Sequence, residues 1–336
     1  MKILISGVAG FVGSHLAEYF LTKPKYNCVG FDDLSRGYKE RIEDISNLSF
    51  VHTDLRNFCK NNLSENFDVI IHCSAIAPLP DCEISPVDCL DSNVSDSICL
   101  IDYASKIGCN KFIFLSTSAI YEQDTEFPST EREDLPTSLV YANSKLLAEK
   151  ALRSYAISYQ INVAALRLFN MYGPRQDFFR EQPPLIGYLL KCFANNEKAT
   201  LYADGNQKRD YIYIDDLARL IELVIPTLNN PSGSFEIVNA GTSTSVSVNE
   251  IVKMLETISS KRLIIERKPP GLFWNKYNEL FTKKLPLDRQ ILEKEVLKYS
   301  LASTVKAKSK YKFETQIDLE TGLKKCYEYA NKYFGK

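Results

Sequence analysis

Lys2-Ile3-Leu4-Ile5-Ser6-Gly7-Val8-Ala9-Gly10-Phe11-Val12-Gly13 is the stretch on which the reading of the fold turns. Its aliphatic start predicts a short strand, and the glycines predict a tight turn into a helix over residues 11–22. The spacing is GxxGxxG, one residue longer at the first gap than the common GxGxxG fingerprint. Glycines let such a backbone approach a pyrophosphate, and the first helical amides with the helix dipole hold its negative charge. Gly7, Gly10, Phe11, Val12 and Gly13 are therefore candidate dinucleotide-binding residues. Glycine turns alone are common, so the context carries the weight: strand before, helix after, and an acid closing a second strand. That acid is Asp32, after Val29-Gly30-Phe31. A carboxylate there accepts hydrogen bonds from the ribose 2′-hydroxyl and repels a 2′-phosphate, which favours NAD over NADP. Arg36, close by, works against that preference.

Outward from this motif the first half alternates strand and helix patterns. Strands are predicted at 2–6, 27–31, 48–52, 69–72, 111–116 and 163–168, with helices at 11–22, 85–107 and 141–159. Such alternation implies an α/β fold, a Rossmann-type doubly wound parallel sheet with helices on both faces. Several strands are apolar without alternation, as when both faces are covered. Ligands of such sheets bind beyond the carboxyl ends of the strands. Asp54 and Leu55 follow the third strand and are placed to meet an adenine; Cys73, Ser74 and Ala75 follow the fourth, where small residues let the chain pass close to a cofactor. After about Gly173 the rhythm changes. A helix is predicted at 185–195, strands near 200–203, 209–214 and 234–239, and helices from Asp215, over 247–259 and over 317–333. The expected division is a dinucleotide-binding domain over 1–173 and a smaller α/β substrate lobe over 174–336, some of whose segments return to the main sheet. Residues 269–298 fit no pattern, but their aromatics (Phe273, Trp274, Tyr277, Phe281) predict packing.

Composition narrows the function. A formal net charge of −1 gives no pull toward nucleic acid or an anionic membrane. The longest apolar stretches, such as Val69-Ile70-Ile71, are far below the ~20 residues of a membrane span. The start of the chain is too short in apolar residues for a secretory signal. The nine cysteines are scattered singly and histidines number three, which argues against a metal site or disulfide framework and for a reducing cytoplasm.

A second constellation is built for proton transfer. Ser116-Thr117-Ser118 closes the fifth strand, and Tyr141-Ala142-Asn143-Ser144-Lys145 opens a helix. Tyr141 and Lys145 are four apart and share a face. A lysine cation beside a phenol favours the phenolate and lowers its pKa from about 10. Tyr141 then serves as general base for a sugar hydroxyl while NAD takes the hydride. Thr117 would steer the same oxygen, and Lys145 would also hydrogen-bond the nicotinamide ribose. YxxxK by itself is weak; the glycine loop and the hydroxyl cluster give it meaning.

Together the glycine loop, Asp32-Asp33-Leu34-Ser35-Arg36-Gly37, the run from Ser116 to Tyr121 and YxxxK resemble the extended short-chain dehydrogenase/reductases, and within them the NAD-dependent NDP-sugar epimerase/dehydratase family. The resemblance implies NAD as cofactor, with Asp33, Leu34 and Ser35 joining Asp32 in holding it. It implies that Asn93, on the helix after the fourth strand, supports the active site. Leu166–Arg175 is similar to the segment whose Asn, here Asn170, binds the substrate diphosphate. Residues 205–216 look like the stretch whose Arg, here Arg209, reaches the phosphates, a task suited to its planar fork. Arg289 stands in for a further substrate arginine of the family. Ser300 falls where a small residue would admit an N-acetyl group at the sugar C2.

Small changes divide the family. Its 4,6-dehydratases carry an Asp-Glu pair after the catalytic Thr, where this chain has Ser118 and Ala119. The remaining Thr-Tyr-Lys set implies 4-epimerisation of a nucleotide sugar, most simply a UDP-sugar, through a transient 4-keto intermediate. The alternatives are an NAD(P)-dependent keto-sugar reductase or dehydratase and, against the intact Thr117/Tyr141/Lys145 set, a non-enzymatic NAD sensor. The resemblance also implies a homodimer built on the helices predicted at 85–107 and 141–159.

Overall fold

The computed structural model describes residues 1–178, 180 and 183–334. Its frame is a seven-stranded parallel sheet. In chain order the strands are β1 (Lys2–Ser6), β2 (Asn27–Asp32), β3 (Ser49–His52), β4 (Val69–His72), β5 (Lys111–Thr117), β6 (Asn162–Leu168) and, after the short strands β7 (Asn170–Tyr172), β8 (Ala199–Tyr202) and β9 (Lys208–Tyr213), β10 (Ser234–Ala240). Their spatial order is β10-β6-β5-β4-β1-β2-β3. The chain runs outward from β1 to β3, then crosses back to β4, so the order reverses beside β1. Crevices open at such reversals beyond the strand ends. The strands lack alternation because both faces are covered: β4 and β6 are buried throughout.

Helices α1 (Phe11–Leu21), α2 (Leu55–Asn61), α3 (Leu79–Ile84), α4 (Pro86–Leu90), α5 (Asp96–Lys106) and α6 (Val140–Ser158) belong to the first half. On one face, residues of α2, α5 and α6, such as Phe58, Leu100 and Leu152, pack on Leu4, Ile70 and Phe112. The opposite face carries α1, α7 (Leu185–Asn195), α8 (Ile214–Val224) and α9 (Val248–Ser259), in a core that includes Leu16, Leu189, Leu217 and Ile251. The helix predicted over 85–107 is corrected: α4 and α5 are joined by a π-turn, Asp91–Ser95. Such a bulge inserts a residue and turns the next side chains to a new face, a device common at functional sites.

In the second half, β9 pairs in parallel with β7 and antiparallel with β11 (Ser245–Ser247), and β12 (Ile265–Lys268) pairs with β8. α9 is opened by a capping box, Ser247 and Glu250, an arrangement whose N-cap is worth about 1 kcal/mol. Residues 269–298 fold as short turns followed by α10 (Arg289–Leu297), and α11 (Val305–Tyr311) and α12 (Leu319–Phe334) close the chain. Trp274, Tyr277, Leu280 and Leu292 form a separate apolar cluster with Leu139, and Leu79 and Ile84 of α3 pack against it. That segment thus roofs the helix after β4 and the approach to α6. Among the described residues no helix is long and apolar enough to cross a membrane.

Candidate active site

A cavity of about 1410 Å³ opens at the carboxyl ends of β1, β2 and β4 and runs into the second half. Its first wall is the glycine loop. Gly7 has φ +67°, a conformation that a side chain disfavours. A Cβ on Gly13 would stand 2.3 Å from the Gly7 carbonyl oxygen and 2.8 Å from the Val8 Cα. The N-cap residue of α1, Gly10, offers no side-chain cap, and the first turn holds no acid. The leading amides are thus left for an anion from outside the chain. Gly7, Gly10, Phe11, Val12 and Gly13 all line the cavity. Gly13→Ala, which sets a methyl against rigid backbone, is expected to weaken dinucleotide binding at least about ten-fold. Absorbance of the nucleotide retained by purified protein measures this, and full retention would contradict it.

Asp32 closes β2, 8 % exposed, and its carboxylate accepts from the Ala9 amide at 3.0 Å and the Leu34 amide at 2.8 Å. Burial pushes its pKa up, and those amides work against the rise. Asp32, Asp33, Ser35, Asp54, Leu55, Cys73, Ser74 and Ala75 all border the cavity. Asp54 also caps α2, accepting from the Asn57 amide at 2.9 Å. Leu34, at φ 61°, packs against the core and does not line the cavity.

The π-turn aims Asn93 inward, fully buried, where it does not line the cavity. It accepts from the Ile76 amide at 2.8 Å and donates to the Ile76 carbonyl at 2.9 Å and to Ser144 Oγ at 3.0 Å. It therefore holds the loop that borders the cofactor site. It belongs to a buried polar chain. Ser74 Oγ donates to Ser6 Oγ (2.7 Å), which meets His72 Nδ1 (2.7 Å); His72 Nε2 meets Ser97 Oγ (2.9 Å), which donates to the Asn93 carbonyl (2.7 Å); and Ser144 Oγ donates to the Tyr141 carbonyl (2.7 Å). Burial, then the charge of Lys145, lowers His72 to about 3, so it bridges as a neutral ring. Ser6, His72, Ser97 and Ser144 escape a sequence reading because each is an ordinary strand or helix residue; polar side chains on fully buried elements are their only signal.

None of the proton-transfer residues Thr117, Tyr141 and Lys145 lines the cavity, but two lining residues, Cys73 and Arg180, are coupled electrostatically to Lys145 and Tyr141. Thr117, at the end of β5, is 8 % exposed, and its Oγ1 accepts from the Ala119 amide at 3.1 Å. Thr117 also acts on the Tyr141 phenol, favouring its ionised form. Tyr141 stands in the first turn of α6 and feels the charge of Arg180, a cavity residue. Lys145, one turn on, is 4 % exposed; its Nζ donates to the Leu115 carbonyl at 2.9 Å and lies 4.7 Å from the Phe114 ring centroid. The charge of Lys145 is felt at Cys73, on the cofactor side. The electrostatics differ from the expectation of a phenol lowered by lysine. Burial pushes Tyr141 up to about 12, and it brings Lys145 down to about 8. Desolvation is the largest cause of both shifts in the bare chain.

On the second wall, Asn170 donates to the Asp210 carbonyl at 2.9 Å and borders the cavity. Arg209 also borders it, with Nη2 donating to the Glu295 carbonyl at 2.6 Å and Nη1 3.4 Å from Glu295 Oε1. Ser300 is 5 % exposed and sits beside Asn170 (3.3 Å) and the Asp210 amide, without lining the cavity. Arg289 is exposed at the start of α10, donates to Asn275 Oδ1 at 2.7 Å and lies 3.8 Å from the Phe281 ring centroid, and it does not line the cavity. The residues of α10 that reach the cavity are Glu295 and Val296, nearly two turns further on.

Residues 3–241 match the family model described as the NAD dependent epimerase/dehydratase family. The chain is 31 % identical over 274 residues to an uncharacterized UDP-glucose epimerase, YtcB, of Bacillus subtilis, covering 78 % of this chain and 83 % of that one. Among solved structures it is similar to the UDP-glucose 4-epimerase of Thermotoga maritima with UDP-glucose (28 % identity, TM-score 0.84, 99 % of both chains). It is also similar to the UDP-glucuronic acid 4-epimerase of Bacillus cereus in complex with UDP-glucuronic acid and NAD (28 % identity, TM-score 0.78, 99 % of this chain and 100 % of that one).

Proposed function

We propose that this chain, which belongs to the NAD dependent epimerase/dehydratase family, is an NAD-dependent 4-epimerase of a UDP-sugar. The observation that carries the reading is the nearness of two sites: an open glycine-loop helix end that lines the cavity, and the Thr117, Tyr141 and Lys145 set, whose Lys145 acts on Cys73 and whose Tyr141 feels Arg180, both lining residues. Relatives that act on UDP-glucose and UDP-glucuronate match it over nearly the whole chain.

The cavity fits the cofactor. The uncapped amides of α1 suit its pyrophosphate, Asp32 suits a ribose diol, and the clash awaiting any side chain at Gly13 marks a close backbone approach. When bound, NAD supplies the hydride acceptor and donor and a positive ring. The chain's own residues handle the proton. Tyr141 takes the proton of the C4 hydroxyl, Thr117 orients that oxygen and supports the phenolate, and Lys145 supplies positive charge from the next turn. Returning the proton to the opposite configuration completes an isomerisation with no net redox change. Asn170 and Arg209 hold the diphosphate, so the sugar ring is free to turn. Dehydration would need an acid after Thr117. Ser118 and Ala119 provide none, and the next carboxylate, Glu122, lies beyond that pair and holds the Ser138 and Leu139 amides through one oxygen. The enzyme works as a cytoplasmic homodimer through α5 and α6; Leu147, Ile157 and Tyr159 in and after α6 stay exposed for such a contact.

Incubating the purified protein with a panel of UDP-, dTDP-, GDP- and CDP-sugars, read by NMR, tests the reading. The expected result is interconversion of C4 isomers of a UDP-sugar with constant absorbance at the NADH wavelength. Stoichiometric consumption of NADH, or loss of water from the sugar, would overturn it in favour of a reductase or a dehydratase.

A further inference from the structure

The cofactor end of the cavity carries a cation that a ribose diol does not call for. Arg36 stands four residues after Asp32 and borders the cavity. In dinucleotide folds an arginine in this neighbourhood receives the phosphate of a 2′-phosphorylated cofactor, because a guanidinium fork binds two phosphate oxygens at once. An available Arg36 would pull against the selection that Asp32 exerts.

The folded chain engages it elsewhere. Arg36 Nη1 donates to Asp81 Oδ2 at 2.5 Å, and Asp81 lies on α3, 45 residues along the chain. Sheet order brings them together: β2 and β4 flank β1, so the loop after β2 and the helix after β4 rise on opposite sides of the glycine loop. Asp81 borders the cavity too. We propose that Asp81 is a specificity-determining residue for the cofactor. It occupies the Arg36 guanidinium, denies it to a 2′-phosphate, and so reinforces the choice of NAD over NADP that Asp32 makes. Asp32 acts by repulsion at the ribose and Asp81 by sequestering the nearby cation. With side chains 48 % and 36 % exposed, the pair is partly screened by water, and its effect is correspondingly modest.

The inference rests on the NAD reading above, and the test separates the two. The bound nucleotide of wild type, Asp81→Asn, Asp81→Glu, Arg36→Ala and the Arg36→Ala/Asp81→Asn double variant is exchanged to equilibrium with an equimolar mixture of NAD and NADP. Loose nucleotide is removed, and the retained nucleotide is released by heat and quantified by anion-exchange chromatography. Asp81→Asn is expected to raise the bound NADP:NAD ratio about five-fold, the scale of an exposed ion pair. Asp81→Glu, which keeps the pair, and the double variant, which lacks the guanidinium, should stay at the wild-type ratio. An unchanged ratio in Asp81→Asn, or an equal rise in the double variant, would overturn the proposal while leaving NAD binding intact. Failure of the wild type itself to retain NAD would instead remove the NAD reading, and this inference with it.

Discussion

Tyr141→Phe is expected to lower kcat by about 10²–10⁴, the usual worth of a positioned general acid–base group, while the protein keeps its NAD and binds UDP as before. The side chain loses only its hydroxyl, the group proposed to take the substrate proton. Bound-nucleotide absorbance and UDP titration separate this loss from misfolding. A variant that turned over every active UDP-sugar at the wild-type rate would remove Tyr141 from the mechanism. The ionisation of this phenol supplies a second readout. Burial raises it to about 12 in the bare chain, so NAD-free protein compared with Tyr141→Phe should show no tyrosinate absorbance step for this residue below about pH 10. Desolvation opposes the anion, and a cation opposes desolvation. The positive nicotinamide ring is therefore expected to bring the step down when NAD is restored. A step near neutral pH without NAD would mean that Lys145 alone prepares the base, contrary to the burial balance described above.

Arg167→Met is expected to destabilise the fold by about 3–5 kcal/mol, the typical result of orphaning a buried ionic partner. Arg167 is fully buried at the carboxyl end of β6. Its Nε and Nη2 donate to both Glu149 oxygens at 3.0 and 2.7 Å, and its Nη1 to Tyr121 Oη and the Arg132 carbonyl at 3.0 and 2.6 Å. Glu149, on α6 two turns after Tyr141, also accepts from Ser116 Oγ at 2.5 Å, next to Thr117. The pair therefore ties the catalytic helix to the strand that ends in the catalytic threonine. Removing the arginine leaves a carboxylate in an apolar interior, where an uncompensated charge is costly. Denaturant unfolding of the NAD-loaded protein measures the loss, and Arg167→Met/Glu149→Leu should recover part of it. A single variant within 1 kcal/mol of wild type, or a double variant no better than the single, would show that the pair does not carry this load.

The parts of the site that were legible beforehand are those whose meaning is local. The glycine loop, the acid ending β2 and the four-residue step from Tyr141 to Lys145 each depend on neighbours within a turn or a strand. Leu34 and Arg289 do not line the cavity, because their side-chain directions are set by a left-handed backbone and by the docking of α10, not by spacing. The hold of Asn93 on Ile76 and Ser144 could not be read beforehand, since a π-turn leaves no mark in hydrophobic periodicity. The aromatics of 269–298 had no period to read, because they pack as a cluster on α3 and Leu139 and not along one face of an element.

What the sequence by itself determined is the frame and the chemistry: alternating strands and helices, an anion-receiving helix end, and a phenol with a lysine one turn away. These are short-range properties, written by backbone geometry and repeat period. Only the tertiary structure decided the pairings between distant segments, such as Arg36 with Asp81, Arg167 with Glu149, and the chain of hydroxyls from Ser74 to Ser144. It also decided the direction in which Tyr141 and Lys145 are shifted, because desolvation depends on everything packed around a group and not on its neighbour in the chain.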